Sequence, residues 1–305
     1  MPELPDVTIY LECLAPRLIG HVLERVHVAK PFVLRTVDPP LAEFAGRRVV
    51  ALRRMGKRIV IEAEGELFLV VHLMIAGRLR WRDAGAKAKV PPSLVLATFE
   101  LSNGTLHLTE AGTKRRASLH AVRGEPGLAA FERGGVEPLD AALDVFAARL
   151  RSENHTLKRA LTDPRLFSGI GNAYSDEILH RARLSPLTLT SRLTDDDVAR
   201  LHAATGDVLT QWTARLRAEV GTGFPEKVTA FRDDFAVHGR YRLPCPDCGT
   251  PVQRIRYAEN ETNYCAHCQT GDRLLADRAM SRLLKQDWPR SLDDLEEHIA
   301  ARAAR

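Results

Sequence analysis

The first six residues, MPELPD, place a proline and a glutamate directly behind the initiator methionine. Aminopeptidases remove Met1 readily before a small residue, which would leave Pro2 as the new terminus. Its secondary amine, with a pKa of about 7.7–8.0, is partly neutral at cellular pH and can attack a carbonyl carbon or an aldehyde to form an iminium. Glu3 beside it can donate or accept protons. The alternative is a frayed leader without a role, as at most chain ends.

Four of the five cysteines form two close pairs, CPDC at 245–248 and CAHC at 265–268. The spacing C-x2-C-x16-C-x2-C predicts one structural zinc ion per chain, held by four thiolates. The alternative is redox chemistry at a single CxxC pair, and a second pair at this distance argues against it. The predicted zinc ligands are Cys245, Cys248, Cys265 and Cys268.

A glycine-rich stretch, FSGIGNAYSDEIL at 167–179, leads into a predicted helix. Such an entry exposes backbone N–H groups, and the helix dipole favours a phosphate there. The alternative is an ordinary turn between packed helices, for which glycine is also suited. The motif therefore indicates a phosphate site only in combination with other features.

Basic residues cluster in RRVVALRRMGKR at 47–58 and in TKRR at 113–116. Solvated faces usually explain such runs, but cations spaced along strand edges also suit a groove that follows a phosphate backbone. Lys57 is singled out because a cation near Pro2 lowers the pKa of the amine and can hold a phosphate or a sugar oxygen. The net charge of +5 fits a polyanionic partner and decides little alone.

The elements that must position these groups change character along the chain. A helical pattern after Asp6, the predicted N-cap, ends near Gly20. Short β-branched segments between turns from about 25 to 123 predict an antiparallel sandwich or barrel. Periodic apolar spacing then predicts helices near 141–151, 154–162, 173–183, 195–203 and 205–219. The last 35 residues also look helical, with Ser291 and Asp294 placed as a capping box.

The composition is that of an ordinary globular protein, with 45% hydrophobic and 27% charged residues in a chain of 305. That length is enough for two domains with their own cores. No apolar run approaches the roughly 20 residues that span a bilayer, and the acidic start does not read as a signal peptide. We therefore expect a cytoplasmic protein without a membrane partner.

Taken together, four motifs resemble the formamidopyrimidine-DNA glycosylase and endonuclease VIII family: MPELPD, the lysine in RRMGKR, the FSGIGNAYSDE stretch and the cysteine ribbon. The resemblance covers about residues 2–270. It implies an α+β multidomain fold with an N-terminal antiparallel β-sandwich, a helix–two-turn–helix domain and a C-terminal zinc ribbon. The boundaries we assign are 1–134 (catalytic sandwich), 135–238 (helix–two-turn–helix), 239–270 (zinc ribbon) and 271–305 (helical tail).

The resemblance also implies a function, namely a bifunctional DNA glycosylase/AP lyase of base excision repair. By that resemblance, Pro2 attacks the sugar carbon of an oxidised nucleotide and expels the base, Glu3 handles protons at the sugar, and Lys57 matches the family's catalytic lysine. The strand is then cut by β- and δ-elimination. Lys158 and Asn172 match phosphate-contacting residues, and Glu177 is the acidic neighbour that supports the site. The expected partner is double-stranded damaged DNA, bound by a monomeric, nucleoid-associated bacterial protein.

Several positions depart from the family pattern. The arginine expected five residues before the third cysteine, at the ribbon tip, is Asn260, which cannot supply its charge to a DNA phosphate. The family's HLGMSG reads HLMIAG at 72–77, so that Met74, or alternatively Ile75, would intercalate. Arg115, which we expect to contact DNA, lies in the basic stretch near the expected arginine–phenylalanine wedge, but Ala117 stands where an aromatic residue is expected. The short stretch 221–236 favours endonuclease VIII while PELPD favours the formamidopyrimidine branch, so that the preferred base stays open.

Two other interpretations compete with the bifunctional glycosylase. The altered ribbon tip and wedge favour a relative that binds damaged or abasic DNA with weak or no base excision. A zinc-ribbon protein of another function, such as transcription, is the third. Borohydride trapping separates the first two, because a covalent adduct forms only if the amine attacks. We expect the tail, 271–305, to pack on the helical domain or the ribbon, with a protein partner as the alternative.

Overall fold

The computed structural model describes residues 1–86, 90–112, 114–226, 228, 232–257, 260–276 and 288–303. The chain divides into two compact units. The first contains Met1–Gly134 and Thr210–Ala230, and the second contains Gly135–Leu209 and Phe231–Arg305. Within the described ranges, no helix combines the length and apolar character needed to cross a bilayer.

The sequence-based division into four segments does not coincide with these two units, the second of which also contains the ribbon and the tail. It placed 135–238 in a single helical domain, whereas the structure groups Thr210–Ala230 with the first unit. Packing explains the difference, because Phe224 lies against the apolar core of the first unit. In addition, Arg217 donates to both carboxylate oxygens of Glu12 at 2.8 and 2.7 Å. These contacts are between residues far apart in sequence, which a composition shift does not reveal.

Helix α1, Leu4–Leu18, opens the first unit. Its N-cap is Glu3 rather than the predicted Asp6, which lies inside the first turn. From there the Asp6 Oδ2 atom accepts a hydrogen bond from the Glu3 N–H at 2.9 Å. The helix therefore begins three residues earlier than predicted, and its start is tied to the chain terminus.

The first unit is built on one antiparallel sheet with the strand order β5-β7-β6-β1-β2-β3-β4-β8. Residues from both ends of this sheet, including Leu79 and Leu108 on one side and Ile61 and Leu69 on the other, share one apolar core. The sheet therefore curls around that core as the predicted sandwich, and helix α2 (Gly124–Ala129) follows it. The strands are β1 Val22–Val28, β2 Arg47–Met55, β3 Arg58–Ala63, β4 Leu67–His72, β5 Gly77–Asp83, β6 Val95–Leu101, β7 Gly104–Glu110 and β8 Ser118–Arg123.

The helical region consists of α3 Leu143–Arg151, α4 Leu157–Thr162, α5 Asn172–Arg181 and α6 Asp195–Val220. The two predicted segments 195–203 and 205–219 are one helix of 26 residues. Gly206 does not interrupt it, because the helix passes through glycine at a cost of only about 1 kcal/mol relative to alanine. The division between the two units falls within this helix.

The ribbon and the tail complete the second unit. The ribbon hairpin is β9 Gln253–Tyr257 and β10 Asn260–Tyr264, followed by α7 (Ala266–Thr270), and α8 (Leu292–Ala303) lies in the tail. The predicted capping box at the start of α8 is confirmed, because the Ser291 and Asp294 side chains each accept the other's backbone N–H at 3.1 Å. Residues 277–287 lie outside the described part of the chain.

Candidate nucleophile and phosphate sites

The chain terminus lies inside the first unit rather than fraying from it. Pro2 is buried and the Glu3 side chain is only 2% exposed. In the chain as translated, the terminal amine belongs to Met1, and its pKa is lowered from the ordinary value mainly by burial. The charge of Glu3 opposes that shift, whereas the nearby positive charges of Arg78 and Lys57 add to it. An amine held here is therefore shifted towards the neutral form that a nucleophile requires.

The charge of Lys57 acts on the terminal amine, and the position of Lys57 follows from the strand register. It lies in the two-residue turn between β2 and β3, where Gly56 has a positive φ of 61°. Across the sheet, Arg58 pairs with His72, and His72 pairs with Ser118. The β2–β3 turn, the end of β4 and the start of β8 therefore lie at the same end of the sheet. We call this end, with the chain terminus, the catalytic edge.

Two residues of the catalytic edge were not identified from the sequence. His72 ends β4, and burial, followed by the charges of Arg58 and Lys57, lowers its pKa to about 4. It is therefore a neutral hydrogen-bonding group beside two cations. Arg78 is the second residue of β5, and burial lowers the pKa of its guanidinium, with Asp6 and Glu110 among the charges that oppose the shift. The sequence signal that could have identified both residues is their position at strand ends, where polar residues alternate with apolar ones.

The turn between β4 and β5 presents Ile75 rather than Met74. Gly77 N–H donates to the Leu73 carbonyl at 2.9 Å, and a Cβ at Gly77 would lie 2.2 Å from that oxygen. Arg78 Nη1 fixes the same turn through the Ile75 carbonyl at 3.2 Å. Met74 is half-buried in a left-handed conformation, whereas Ile75 is 56% exposed. Of the two residues offered as intercalators, the geometry favours Ile75, and intercalation itself stays a prediction.

A buried carboxylate shapes the segment before β8. Glu110, 1% exposed, accepts the backbone N–H groups of Arg116 and Ala117 at 3.0 and 3.1 Å. Ala117 is fully buried, so that it offers no apolar surface to a ligand. Arg115 is half-buried, and its Nη2 atom donates to the Ser93 carbonyl at 3.1 Å. Its predicted contact with DNA stays a prediction.

The glycine-rich stretch of the second unit forms the start of α5 as the sequence predicts. Gly171 is the N-cap and Asn172 the first helical residue. The Asn172 amide donates to the Glu261 carbonyl of the ribbon at 2.9 Å, and its own carbonyl accepts from Lys158 Nζ at 2.6 Å. Lys158 also contacts Asp176 Oδ1 at 2.6 Å, with 12% and 0% of the two side chains exposed. The residues chosen as phosphate contacts thus lie together.

Two adjacent carboxylates of α5 tie three segments to this site. Glu177 accepts the backbone N–H groups of residues 236–238 at 2.7, 3.0 and 2.9 Å. Burial raises the pKa of Glu177, and these three donors oppose the shift. Asp176 Oδ2 contacts His238 Nδ1 at 2.7 Å and accepts the Asn263 N–H at 3.1 Å. Glu177 therefore fixes the loop before the ribbon, and its predicted support of the active site stays a prediction.

The four ribbon cysteines form a structural zinc site. Their sulfur atoms all lie within 4.8 Å of one another, with Cys248–Cys265 at 3.4 Å and Cys245–Cys268 at 4.0 Å. A tetrahedral ion with zinc–sulfur distances of about 2.3 Å needs sulfur atoms about 3.8 Å apart, which these distances straddle. Four thiolates fill the coordination sphere, so that the ion holds the ribbon together and has no open position for catalysis.

The predicted ribbon tip carries no cation at the position expected. Asn260 begins β10 opposite Tyr257 and is exposed. The neighbouring Glu261 faces Arg254 at 3.5 Å, so that their charges largely offset each other. The two residues between the strands, 258 and 259, lie outside the described part of the chain. The two described strands carry Arg254 and Arg256 against Glu261, so that their formal net charge is +1, from Arg256 on β9 and not from the position expected.

Three family descriptions match successive parts of the chain. They are the formamidopyrimidine-DNA glycosylase N-terminal domain over residues 1–117, the formamidopyrimidine-DNA glycosylase H2TH domain over 135–219, and the zinc finger found in FPG and IleRS over 242–271. Most of the tail, from residue 272, lies beyond these matches.

Similar proteins carry the same name. The formamidopyrimidine-DNA glycosylase of Desulforamulus reducens is 34% identical over 288 residues, 88% of this chain and 99% of the relative. That of Moorella thermoacetica is 36% identical over 270 residues, 84% and 95% of the two chains. The crystal structure of the MutM (Fpg) protein from Thermus thermophilus is similar with a TM-score of 0.73 at 32% identity, covering 88% of this chain and 98% of that one.

Proposed function

This chain belongs to the formamidopyrimidine-DNA glycosylase family and is a bifunctional DNA glycosylase/AP lyase for oxidised bases, and from that premise we propose that its nucleophile is the amine of Pro2. Removal of Met1 frees the amine. Its nitrogen attacks the anomeric sugar carbon, the bond from that carbon to the base breaks, and the sugar ring opens to leave an iminium on the enzyme. Loss of the two flanking phosphates by β- and δ-elimination then cuts the strand.

The single observation that supports this assignment is the setting of the chain terminus. Pro2 is buried, and burial lowers the pKa of the Met1 amine one residue before it, next to Glu3 and in the field of Lys57. Glu3 would move protons at the sugar, and Lys57 would supply positive charge to phosphate and sugar oxygens. A frayed leader would have neither the burial nor these neighbours. Proton-transfer groups of this kind are typically worth about 10²–10⁴-fold in rate.

The substrate we propose is double-stranded damaged DNA. Asn172 at the start of α5 and Lys158 of α4, which donates to the Asn172 carbonyl, would hold a phosphate, helped by backbone N–H groups and the helix dipole. Ile75 would enter the stack when the damaged base is extruded. The protein would act as a monomer in the bacterial cytoplasm, at the nucleoid.

A second candidate function is binding of damaged or abasic sites with weak or no base excision. Two observations favour it: the exposed Asn260 in place of a cation, and the buried Ala117 in place of an aromatic. Both substitutions would lower the affinity for distorted DNA and leave the terminal amine unchanged. The two candidates are separated by whether the terminal amine attacks the sugar, which trapping detects.

Borohydride trapping on abasic DNA and on a panel of oxidised purines and pyrimidines tests the proposal. We expect a covalent adduct with the native chain, a mass that lacks Met1, and loss of most glycosylase activity in Pro2→Gly. Pro5→Ala is the matched control, because it alters the same motif and leaves the terminal amine in place. A fully active chain that retains Met1 would refute the mechanism. Binding to abasic DNA without any adduct would favour the second candidate.

A further inference from the structure

An enzyme that acts on a base in a duplex must extrude that base, and the gap left in the stack has to be filled. Apolar side chains that enter the gap offset part of the unstacking cost. The inference that follows rests on the proposed function. The residue it requires is a large, exposed, apolar side chain at the catalytic edge, in addition to Ile75.

The segment after β1 runs alongside β8 in the same direction. Leu34 forms a parallel bridge with Leu119, and the Arg35 N–H donates to the Leu119 carbonyl at 2.9 Å. Further along, the Ala121 N–H donates to Thr36 Oγ1 at 2.7 Å. Residues earlier than Leu34 therefore lie towards the start of β8, which is the end of that strand at the catalytic edge.

A second anchor leads to the same place. The backbone N–H groups of Ala29 and Lys30 both donate to the Leu96 carbonyl, at 2.9 and 3.2 Å. The Arg115 side chain is held by the carbonyl of Ser93, three residues before Leu96. The start of β6 thus holds both the segment that precedes Phe32 and the segment that precedes Ala117.

Between these anchors the chain makes a short 3-10 turn, Pro31–Val33, which packs against β8. Val33 is fully buried, whereas Phe32 is 39% exposed. The turn therefore uses its third residue to fix itself to the core and directs its second residue outward. Lys30 and Arg35 on either side of the turn supply positive charge, which suits a base-stacking aromatic that must work between phosphates.

We propose that Phe32 is the aromatic residue that enters the duplex and stacks in the gap left by the extruded base. It takes the place that Ala117 cannot fill, from a different segment of the chain. Phe32 and Ile75 then approach the gap from two loops at the same end of the sheet. The ring stacks on a base and forms no covalent bond, so that its contribution is to extrusion and not to the chemistry at the sugar.

The test compares Phe32→Ala with Val37→Ala, a control that removes a 92% exposed apolar side chain from the same segment. Duplex DNA carries a tetrahydrofuran abasic analogue with 2-aminopurine opposite it, and binding of the native protein should quench the fluorescence by stacking. We expect Phe32→Ala to lose most of that quenching, Phe32→Trp to restore it, and Val37→Ala to match the native protein.

Single-turnover kinetics give the second readout, on whichever oxidised base the native protein excises fastest. We expect Phe32→Ala to slow base excision about 10- to 100-fold, because stacking no longer offsets unstacking. Strand cleavage at a preformed abasic site should change less than about threefold, because no base has to be extruded. Equal behaviour of Phe32→Ala and Val37→Ala overturns the proposal, and so does an equal loss in both reactions accompanied by a lower melting temperature. Failure of the proposed function is distinct, since the native protein would then give no borohydride adduct.

Discussion

The tail should stabilise the zinc ribbon, and Leu275→Ala is the sharpest perturbation. Leu274 and Leu275 are 8% and 6% exposed, and they pack with Ile255 and Tyr264 of the ribbon hairpin. The Leu275 N–H also donates to the Tyr264 hydroxyl at 2.8 Å. The start of the tail therefore packs against the ribbon hairpin, which is one of the two packing sites expected from the sequence.

The expected magnitude follows from this burial. Replacing a nearly buried leucine by alanine costs about 2–5 kcal/mol of unfolding free energy, through lost apolar contact and the cavity left behind. Truncation after Thr270 removes both leucines and leaves the buried Tyr264 hydroxyl without its donor. Two such leucines correspond to about 3–6 kcal/mol by transfer alone, and an unpaired buried hydroxyl adds about 1–3 kcal/mol.

Hydrogen exchange of the β9 and β10 amides is the suitable assay, because the two units need not unfold together. We expect Leu275→Ala to speed that exchange by the factor corresponding to its cost, and Leu139→Ala to leave it unchanged. Leu139 is the matched control because it is a leucine of the same unit with 45% exposure. The tail has seven acidic and seven basic residues, so that truncation should not alter the salt dependence of DNA binding. Unchanged exchange together with a shallower salt slope would show that the tail is a DNA contact instead.

The two sites lead to four further predictions. Replacing Lys57 or Glu3 should slow turnover about 10²–10⁴-fold with little change in DNA affinity; a loss confined to affinity, measured by anisotropy, would reassign them to positioning. Zinc chelation or Cys265→Ser should unfold the ribbon and weaken DNA binding, and a zinc-free protein that binds normally would contradict the structural role. Asn260→Arg should tighten binding and steepen its salt dependence by about one phosphate contact, whereas an unchanged slope would mean that the hairpin tip does not touch the backbone. Burial lowers the pKa of His72 to about 4, so that between about pH 6.5 and 4 the unfolded chain binds more protons than the folded one, and stability falls as the pH falls. His72→Gln should therefore reduce the slope of unfolding free energy against pH in that window by up to about 1.4 kcal/mol per pH unit, measured by thermal melting. A pH dependence identical to that of the native chain would contradict this prediction.

Local signals predicted the fold well where one short segment determines one element. Asparagine and the glycines of FSGIGN place the start of α5, Ser291 and Asp294 cap α8 as expected, and the cysteine spacing gives the zinc site. The start of α1 was misplaced for a physical reason. Asp6 has the chemistry of an N-cap, but it binds the Glu3 N–H from inside the first turn, which the sequence pattern cannot distinguish.

Features that depend on strand pairing across the sheet were harder to predict from the sequence. Lys57, His72 and Ser118 share one end of the sheet because three antiparallel registers agree, and a change of one residue in any of them would turn side chains to the other face. The same holds for the turn that carries Phe32, because Leu34, two residues later, forms a parallel bridge with Leu119 of β8 across a long sequence separation. In the sequence pattern, Ala117 stands where an aromatic residue is expected, which suggests that the stacking function has been lost. The register instead offers a replacement from an unrelated segment, so that a function can persist after its usual residue has disappeared.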